Sequence, residues 1–389
     1  MKTVLFSAPV LTQSGYGVHA QQVFQYLLNA EKQGRIKLHV QVVPWGDTSW
    51  HVNPSNKDGL IGEVMKRTVP PLPKYDVSLQ LKLPNEWSTA MATYNVGMTA
   101  GVETDRCNPE WVTACNKMQL VIVPSEHSLK SIKKSGTLLT PSKVVPEAFP
   151  TVYSKDVIED IDFGFDTPFN FLVFGQLTGN NPENDRKNIF YTIKWLCDTF
   201  AGNKDVGIVV KTNGGKSSHF DRSMMKNVFT TLLKEVRQTS EFPKVHLLHG
   251  DMTDNEVHAL MHNESIKALV ALTRGEGFGL PILEAAAAGL PVVATNWSAH
   301  TEFLGLGKYI DIDSRLVEIH PSRVDNQIFM KDSKWAAPSE ECFKRKIKKL
   351  HSNYEAPKRW ASELKPLILE NYNIQTIMKK YDDVLKGII

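Results

Sequence analysis

The chain is short of cysteine, of long apolar runs and of any marked charge excess, and each shortage removes a class of protein. Its four cysteines, Cys107, Cys115, Cys197 and Cys342, show no CxxC spacing and no pairing framework. That argues against a disulfide scaffold and for a reducing, cytoplasmic setting. No run approaches the roughly 18 apolar residues that span a bilayer, so no transmembrane segment is expected. The opening MKTVLFSAPV is apolar but too short for a signal peptide, and reads instead as a buried first strand. The formal net charge is only +3, which singles out no polyanionic partner. The first 150 residues are mildly basic, and a solvated surface accounts for that. Internal repeats and low-complexity tracts are also missing.

What is present is enough for two ordinary domains: 389 residues with 42% hydrophobic content. Short apolar runs alternate with helical periodicity, the pattern of parallel α/β layers. In the first half the runs Thr3–Ala8, Leu38–Val43, Val77–Leu81, Thr93–Val96 and Leu120–Val123 predict strands, and 17–30, 109–117 and 126–134 predict helices. From 141 to 168 the pattern lapses into an irregular, acidic stretch that reads as a linker. A second series follows: strands Phe169–Phe174, Gly207–Lys211, Val245–Leu248, Ala268–Ala271 and Val292–Thr295, and helices 187–200, 221–237, 254–262 and 281–288. The last of these is stopped by Gly289 with Pro291 beyond it. The expected organisation is an α/β protein of two facing Rossmann-like domains, 1–150 and 165–370, with an interdomain cleft and a final helix, about 374–389, packing back on the first domain. Ligands of such sheets lie at the carboxyl ends of the strands.

The most informative stretch is Arg274-Gly-Glu-Gly-Phe-Gly-Leu-Pro-Ile-Leu-Glu284. It follows a predicted strand and opens a predicted helix. Amides at a helix N-terminus favour phosphate, and glycines at 275, 277 and 279 let a ligand approach the backbone. Glu276 falls in the loop, and Glu284 one turn into the helix, its side chain leaning back toward the N-terminus. Two carboxylates are thus aimed at one ligand beside a phosphate cradle.

In the context GEGFGLPILEAAAAGLPVVAT, these two glutamates resemble the E-x7-E signature of retaining glycosyltransferases of family four, enzymes of the GT-B fold. The resemblance implies a nucleotide diphosphate sugar as co-substrate, with no metal or other cofactor. Glu276 and the amides of Phe278, Gly279 and Leu280 would hold the sugar, and Glu284 the ribose. A diphosphate needs cations, and similar enzymes carry them where this chain has Arg186, Lys187 and Lys211. The implied reaction is a front-face displacement in which the protein chiefly positions groups and stabilises charge.

In the first half, Gly15 and Gly17 form a GxG at the first strand–helix turn. It is either a plain turn or, as in related enzymes, a loop facing the donor phosphates. His19 either enters the site or caps the helix. Glu103 and the segment Ser125-Glu126-His127 occupy positions that the resemblance puts on the acceptor side, and His127 could shuttle a proton or be a surface residue. Trp45 and Trp50 lie on a strand-end loop and could stack on a sugar or a base, or pack at the core edge. Lys130, Lys133 and Lys134 share a helix face that reads as solvated. The helix over 17–30 lacks Lys and Arg, which argues against lipid anchoring and for a soluble acceptor: a saccharide, a protein or a nucleic acid. The SGYG opening is also similar to glycosyltransferases of bacteriophages, some of which modify DNA bases.

Rival readings have their own signals. Metal-dependent transferases of the other common fold need a DxD, and Asp160-Ile-Asp162 and Asp311-Ile-Asp313 both lie where a structural role is expected. A nucleotide-sugar epimerase shares the architecture without an acceptor, and a non-catalytic sugar-nucleotide-binding protein keeps the fold without turnover. His258 and His262 stand four apart on a predicted helix with no third ligand in view, which argues against zinc.

Overall fold

The computed structural model describes residues 1–155, 157–237 and 241–389, which divide into two compact units. The first consists of Met1–Ala148, Asn326–Met330 and Ile374–Ile389; the second of Phe149–Asp325 and Lys331–Asn373.

In the first unit the order is β1 (Lys2–Ala8), α1 (Gly15–Lys32), β2 (Ile36–Val42), α2 (Leu60–Arg67), β3 (Tyr75–Leu81), β4 (Ala92–Met98), α3 (Pro109–Cys115), β5 (Leu120–Val123), α4 (Glu126–Ser135) and β6 (Ser142–Val144). The strands form one parallel sheet, β2-β1-β3-β4-β5-β6. Their near-continuous apolar runs are what a sheet covered on both faces requires. Helix α1 begins where Ser14 caps the Gly17 amide at 3.1 Å and ends at Lys32, so it carries one cation that the range 17–30 left out. Ten of its residues are buried, including Val23, Phe24, Leu27 and Leu28. Helix α2 and strand β6 are absent from the sequence expectation.

In the second unit β7 (Phe169–Phe174), α5 (Ile189–Thr199), β8 (Val206–Thr212), α6 (His219–Val236), β9 (Lys244–His249), α7 (Asp254–His262), β10 (Ile266–Ala271), α8 (Leu280–Ala288), β11 (Val292–Thr295), α9 (His300–Leu304) and β12 (Ile310–Ile312) follow in turn. A hairpin, β13 (Ser314–Glu318) with β14 (Lys334–Pro338), and helices α10 (Glu340–Ser352) and α11 (Glu355–Asn371) complete it. The sheet is again parallel, in the order β12-β11-β10-β7-β8-β9. Its strand order reverses between β7 and β10, the point at which a crevice opens beyond the carboxyl ends. Helix α8 presents Ala285, Ala286 and Ala287, all buried, which lets it lie close to its neighbours.

The stretch 141–168 is not a bare linker. Beyond β6 it holds Phe149, Val152 and Tyr153, all buried in the second unit's core with Leu260, Leu283 and Ile368. Helix α12 (Ile374–Leu385) returns to the first unit, where Ile377, Tyr381 and Leu385 join Phe24, Leu27 and Ile36 in one core. Arg35 secures it by an ion pair to Asp382 at 2.7 Å. Among the described residues no helix is long and apolar enough to cross a membrane.

Candidate active site

The loops leaving β7 and β10 meet at the strand-order reversal of the second unit. The Arg274 amide donates to the Arg186 carbonyl at 2.8 Å, which ties the two loops together. The Lys187 ammonium then reaches Glu276 Oε1 at 2.7 Å, while the Arg186 guanidinium donates to the Gly275 carbonyl at 2.8 Å and to Glu276 Oε2 at 3.3 Å. The Glu276 side chain is 9% exposed. Burial pushes its carboxyl up, but the charges of Lys187 and Arg186 outweigh burial and hold it down at about 2. Lys187, Thr273, Glu276, Gly279 and Pro281 line a pocket floored by Val173 and Leu269 of the sheet.

Asp185 explains how two cations stand ahead of a helix whose dipole opposes them. Its carboxylate accepts the Ile189 amide at 2.7 Å and the Lys187 amide at 3.2 Å, which supplies the negative charge that the α5 N-terminus favours. Lys187 and Arg186 are therefore turned toward Glu276.

The backbone of Glu276 is held as firmly as its side chain. Its amide donates to Ser298 Oγ at 2.9 Å, and Ser298 sits at φ +86°, a left-handed conformation that serine rarely adopts. His300, fully buried, binds Ser298 Oγ through Nδ1 at 3.2 Å and the Thr295 carbonyl through Nε2 at 2.7 Å; burial lowers its pKa. Gly279, at φ +104°, begins α8, and a Cβ there would press on His300 at 3.2 Å. Ile282 and Leu283 give their amides to the Gly279 carbonyl and Pro281 has none. The Phe278 side chain is committed to the core, against Phe303 and Tyr372.

Lys211 lies at the carboxyl end of β8, two strands from β10, and does not join the Glu276 pair. Its ammonium donates to the Gly250 carbonyl at 2.5 Å and to Asn213 Oδ1 at 2.7 Å, above the Phe174 ring. Burial pulls it down to about 8 against the opposing charges of Asp251 and Glu256. Glu284, half-buried on α8, accepts the Tyr153 hydroxyl at 3.3 Å. The Tyr153 ring stands edge-on to His258, whose own ring packs on His262 at 4.3 Å. The histidine pair is thus part of the packing, and among the described residues no cluster of metal-ligating side chains occurs. Of the two DxD sequences, Asp311 is paired with Lys346 at 2.8 Å and Asp162 accepts the Gly164 amide.

In the first unit the strand-end residues form a separate group. Gly17 has a local reason to be glycine: a Cβ would fall 1.9 Å from the Thr12 carbonyl oxygen. A Cβ at Gly15 would meet nothing within 4 Å. Trp45 packs on Tyr16 with ring centres 4.5 Å apart, and the Tyr16 hydroxyl bonds Thr99 at 2.8 Å. Trp50 bridges to Thr12 and remains 36% exposed. Glu103 and His127 are half-buried beyond β4 and in the first turn of α4. His19 does not cap α1, whose N-cap is Ser14. It is buried within the unit, bonding Tyr381 at 3.0 Å with Glu147 at 3.9 Å, and burial lowers its pKa to about 3. Lys134 is paired with Asp105 at 2.5 Å.

Sequence reasoning passes over Ser298, Tyr153 and Lys82. Lys82, only 8% exposed just past β3, was marked by a lysine inside the run VSLQLKLP; burial lowers its pKa, opposed by Glu86. Ser298 and Tyr153 carry no comparable mark.

Residues 229–318, from α6 to β13, match the family model described as Glycosyl transferases group 1; the segment includes Glu276, Glu284 and Ser298 but not Arg186, Lys187 or Lys211. The fold is similar to that of Anabaena HepE in complex with UDP and glucose, at 14% identity over 100% of both chains and a TM-score of 0.60. It is also similar to sucrose-phosphate synthase from Thermosynechococcus elongatus, at 9% identity over 100% of this chain and 99% of that one, with a TM-score of 0.65. The pneumococcal O-GlcNAc transferase GtfA, in complex with UDP and GlcNAc, matches 80% of this chain and 56% of its own at 13% identity and a TM-score of 0.52. No curated protein sequence matches the chain. The fold is that of GT-B glycosyltransferases, two parallel-sheet Rossmann-like units, and the family segment supports a glycosyltransferase.

Proposed function

We propose that the chain is a retaining, metal-independent glycosyltransferase of the E-x7-E type, moving a sugar from a nucleotide diphosphate sugar to a soluble acceptor. The observation that carries this reading is Glu276: a buried carboxylate kept ionised by Lys187 and Arg186, at the strand-order reversal and beside the N-terminus of α8. A carboxylate that stays anionic away from water can accept hydrogen bonds from sugar hydroxyls. The cations and the α8 amides favour the diphosphate, whose charge grows as the glycosidic bond breaks. Lys211 adds a positive charge on the β8 side, and Glu284 would accept from the ribose.

UDP, the nucleotide held by HepE and GtfA, is the first donor nucleotide to try. Trp45, Trp50, Glu103 and His127 are the acceptor-side candidates of the first unit, along with Gly15 and Gly17 for the donor phosphates. A saccharide, a protein or a modified DNA base, as in bacteriophage enzymes, fits a soluble acceptor. The largely buried α1 offers no basic amphipathic face for a lipid surface.

The test is a panel of nucleotide sugars given to the purified protein, with and without chelator, following release of nucleoside diphosphate. Turnover of one donor that survives the chelator and is lost in Glu276→Ala supports the reading. The anomeric configuration of the product, read by NMR, tests retention. Conversion of the donor to an isomeric sugar nucleotide, or nucleotide binding without turnover toward any acceptor, would replace it with the epimerase or the binding protein.

A further inference from the structure

We infer that Tyr153 is a positioning residue that aims Glu284 at the nucleotide ribose, so that the protein discriminates ribonucleotides from deoxyribonucleotides through a residue outside the glycine loop. The inference rests on the donor-site reading above and adds to it a specificity device.

Three observations carry it. First, the Tyr153 hydroxyl donates to Glu284 Oε2 at 3.3 Å. Glu284 is on α8, and Tyr153 is on a single turn, Thr151–Ser154, 131 positions earlier in the chain. A glutamate on a helix has three rotatable bonds, and a fixed donor at one oxygen selects among its rotamers. Second, Tyr153 is itself immobilised. It is 4% exposed, with its ring edge-on to His258 at 4.7 Å and to Phe149 at 6.3 Å. Third, Tyr153 remains a donor: burial and the neighbouring Glu284 charge raise its pKa well above the usual tyrosine range. Glu284 stays half-buried, open enough for a ligand hydroxyl.

A donor that only braced α8 would affect every nucleotide alike. A donor that aims Glu284 affects only ligands whose ribose meets that carboxylate, and the two cases separate experimentally. Titration calorimetry of the full chain with UDP, 2′-deoxy-UDP and 3′-deoxy-UDP is run on wild type, Tyr153→Phe, Glu284→Gln and the double variant, with ADP and GDP tried on wild type. The wild type is expected to bind UDP about tenfold more tightly than one of the deoxy analogues, the scale of one hydrogen bond to a charged group. Tyr153→Phe is expected to weaken UDP binding by about three- to tenfold, to leave that analogue within twofold, and to have under a twofold effect when added to Glu284→Gln. Its unfolding midpoint without nucleotide should remain near wild type, because phenylalanine keeps the ring contacts. Equal weakening of all three ligands, an undiminished effect on Glu284→Gln, or no effect on UDP overturns the inference and leaves the donor reading intact. No binding of UDP, ADP or GDP to wild type overturns the donor reading, and this inference with it.

Discussion

Lys187 and Glu276, 89 positions apart in the chain, meet at 2.7 Å with the Arg186 guanidinium on the glutamate's second oxygen. The two cations and the carboxylate thus hold one another before any ligand arrives, and a diphosphate entering here must share cations that already have a partner. Under the proposed function, the pairing would make Glu276 a determinant of stability as well as of activity.

Glu276→Ala should lower kcat by about a hundred- to a thousandfold, the scale of losing one placed electrostatic group. The pairing also makes Glu276→Gln pH-dependent in its cost. The folded-state pKa is depressed from 4.5 to about 2, so the stabilisation is fully present above 4.5 and is lost as pH falls toward 2. Urea unfolding should place Glu276→Gln on the order of 3 kcal/mol below wild type at pH 7, with the gap closing below pH 4.5. A gap independent of pH would mean that the carboxylate's charge is not what stabilises the loop.

Lys211 titrates where an assay can follow it. Cationic below about 8 and neutral above, it should attract a diphosphate less as pH rises through that value. Dissociation constants for UDP measured between pH 7 and 9 should rise in wild type, whereas Lys211→Met should bind more weakly throughout and lose that rise. A rise that persists in Lys211→Met belongs to another group.

At Ser298 two substitutions should order in a way that size alone does not predict. Ser298→Ala loses the Oγ acceptor for the Glu276 amide and keeps the left-handed strain at φ +86°. Ser298→Gly loses the same acceptor but relieves the strain. Denaturation should rank wild type above glycine and glycine above alanine, with alanine down by about 1–3 kcal/mol. Alanine more stable than glycine would mean that left-handed strain does not decide the cost at this position.

His19 gives the first unit an acid sensitivity of its own. Its folded-state pKa, about 3, lies below the ordinary 6.5, so the stability of the neutral ring is present above 6.5 and is lost as pH falls toward 3. His19→Gln should show a shallower decline in stability between pH 7 and 4.5, by about 2–3 kcal/mol relative to wild type. Parallel declines would show that the ring is not buried neutral.

How much of this was legible depended on whether a feature leaves a local trace. The strands of both sheets are apolar runs bounded by turn residues, and Leu120–Val123, Phe169–Phe174 and Val292–Thr295 can be read to the residue. The loop 274–284 announces itself through its glycines and Pro281. By contrast, α10 and α11 bear no element in the sequence reading, although Cys342, Phe343, Ile347 and Leu350 are spaced for one buried helix face. The β13–β14 hairpin is separated by fifteen residues of loop, too long for a turn signal. Ser298 and Tyr153 are a different case: their meaning comes from what reaches them across 22 and 131 positions, which no window along the chain contains. The pairing of Lys187 with Glu276 is of this kind too. Each residue was visible alone, but not the fact that they neutralise one another.

The construction of the first unit from Met1–Ala148 and Ile374–Ile389 sets an order of events during synthesis. A chain emerging from the ribosome presents Phe24, Leu27 and Ile36 long before Ile377, Tyr381 and Leu385, which complete their core, exist. The second unit holds all but a five-residue loop of the sequence in between and can close first. The half that starts earliest therefore finishes last, and its nascent sheet must wait, with an uncovered seam, for α12 to be translated.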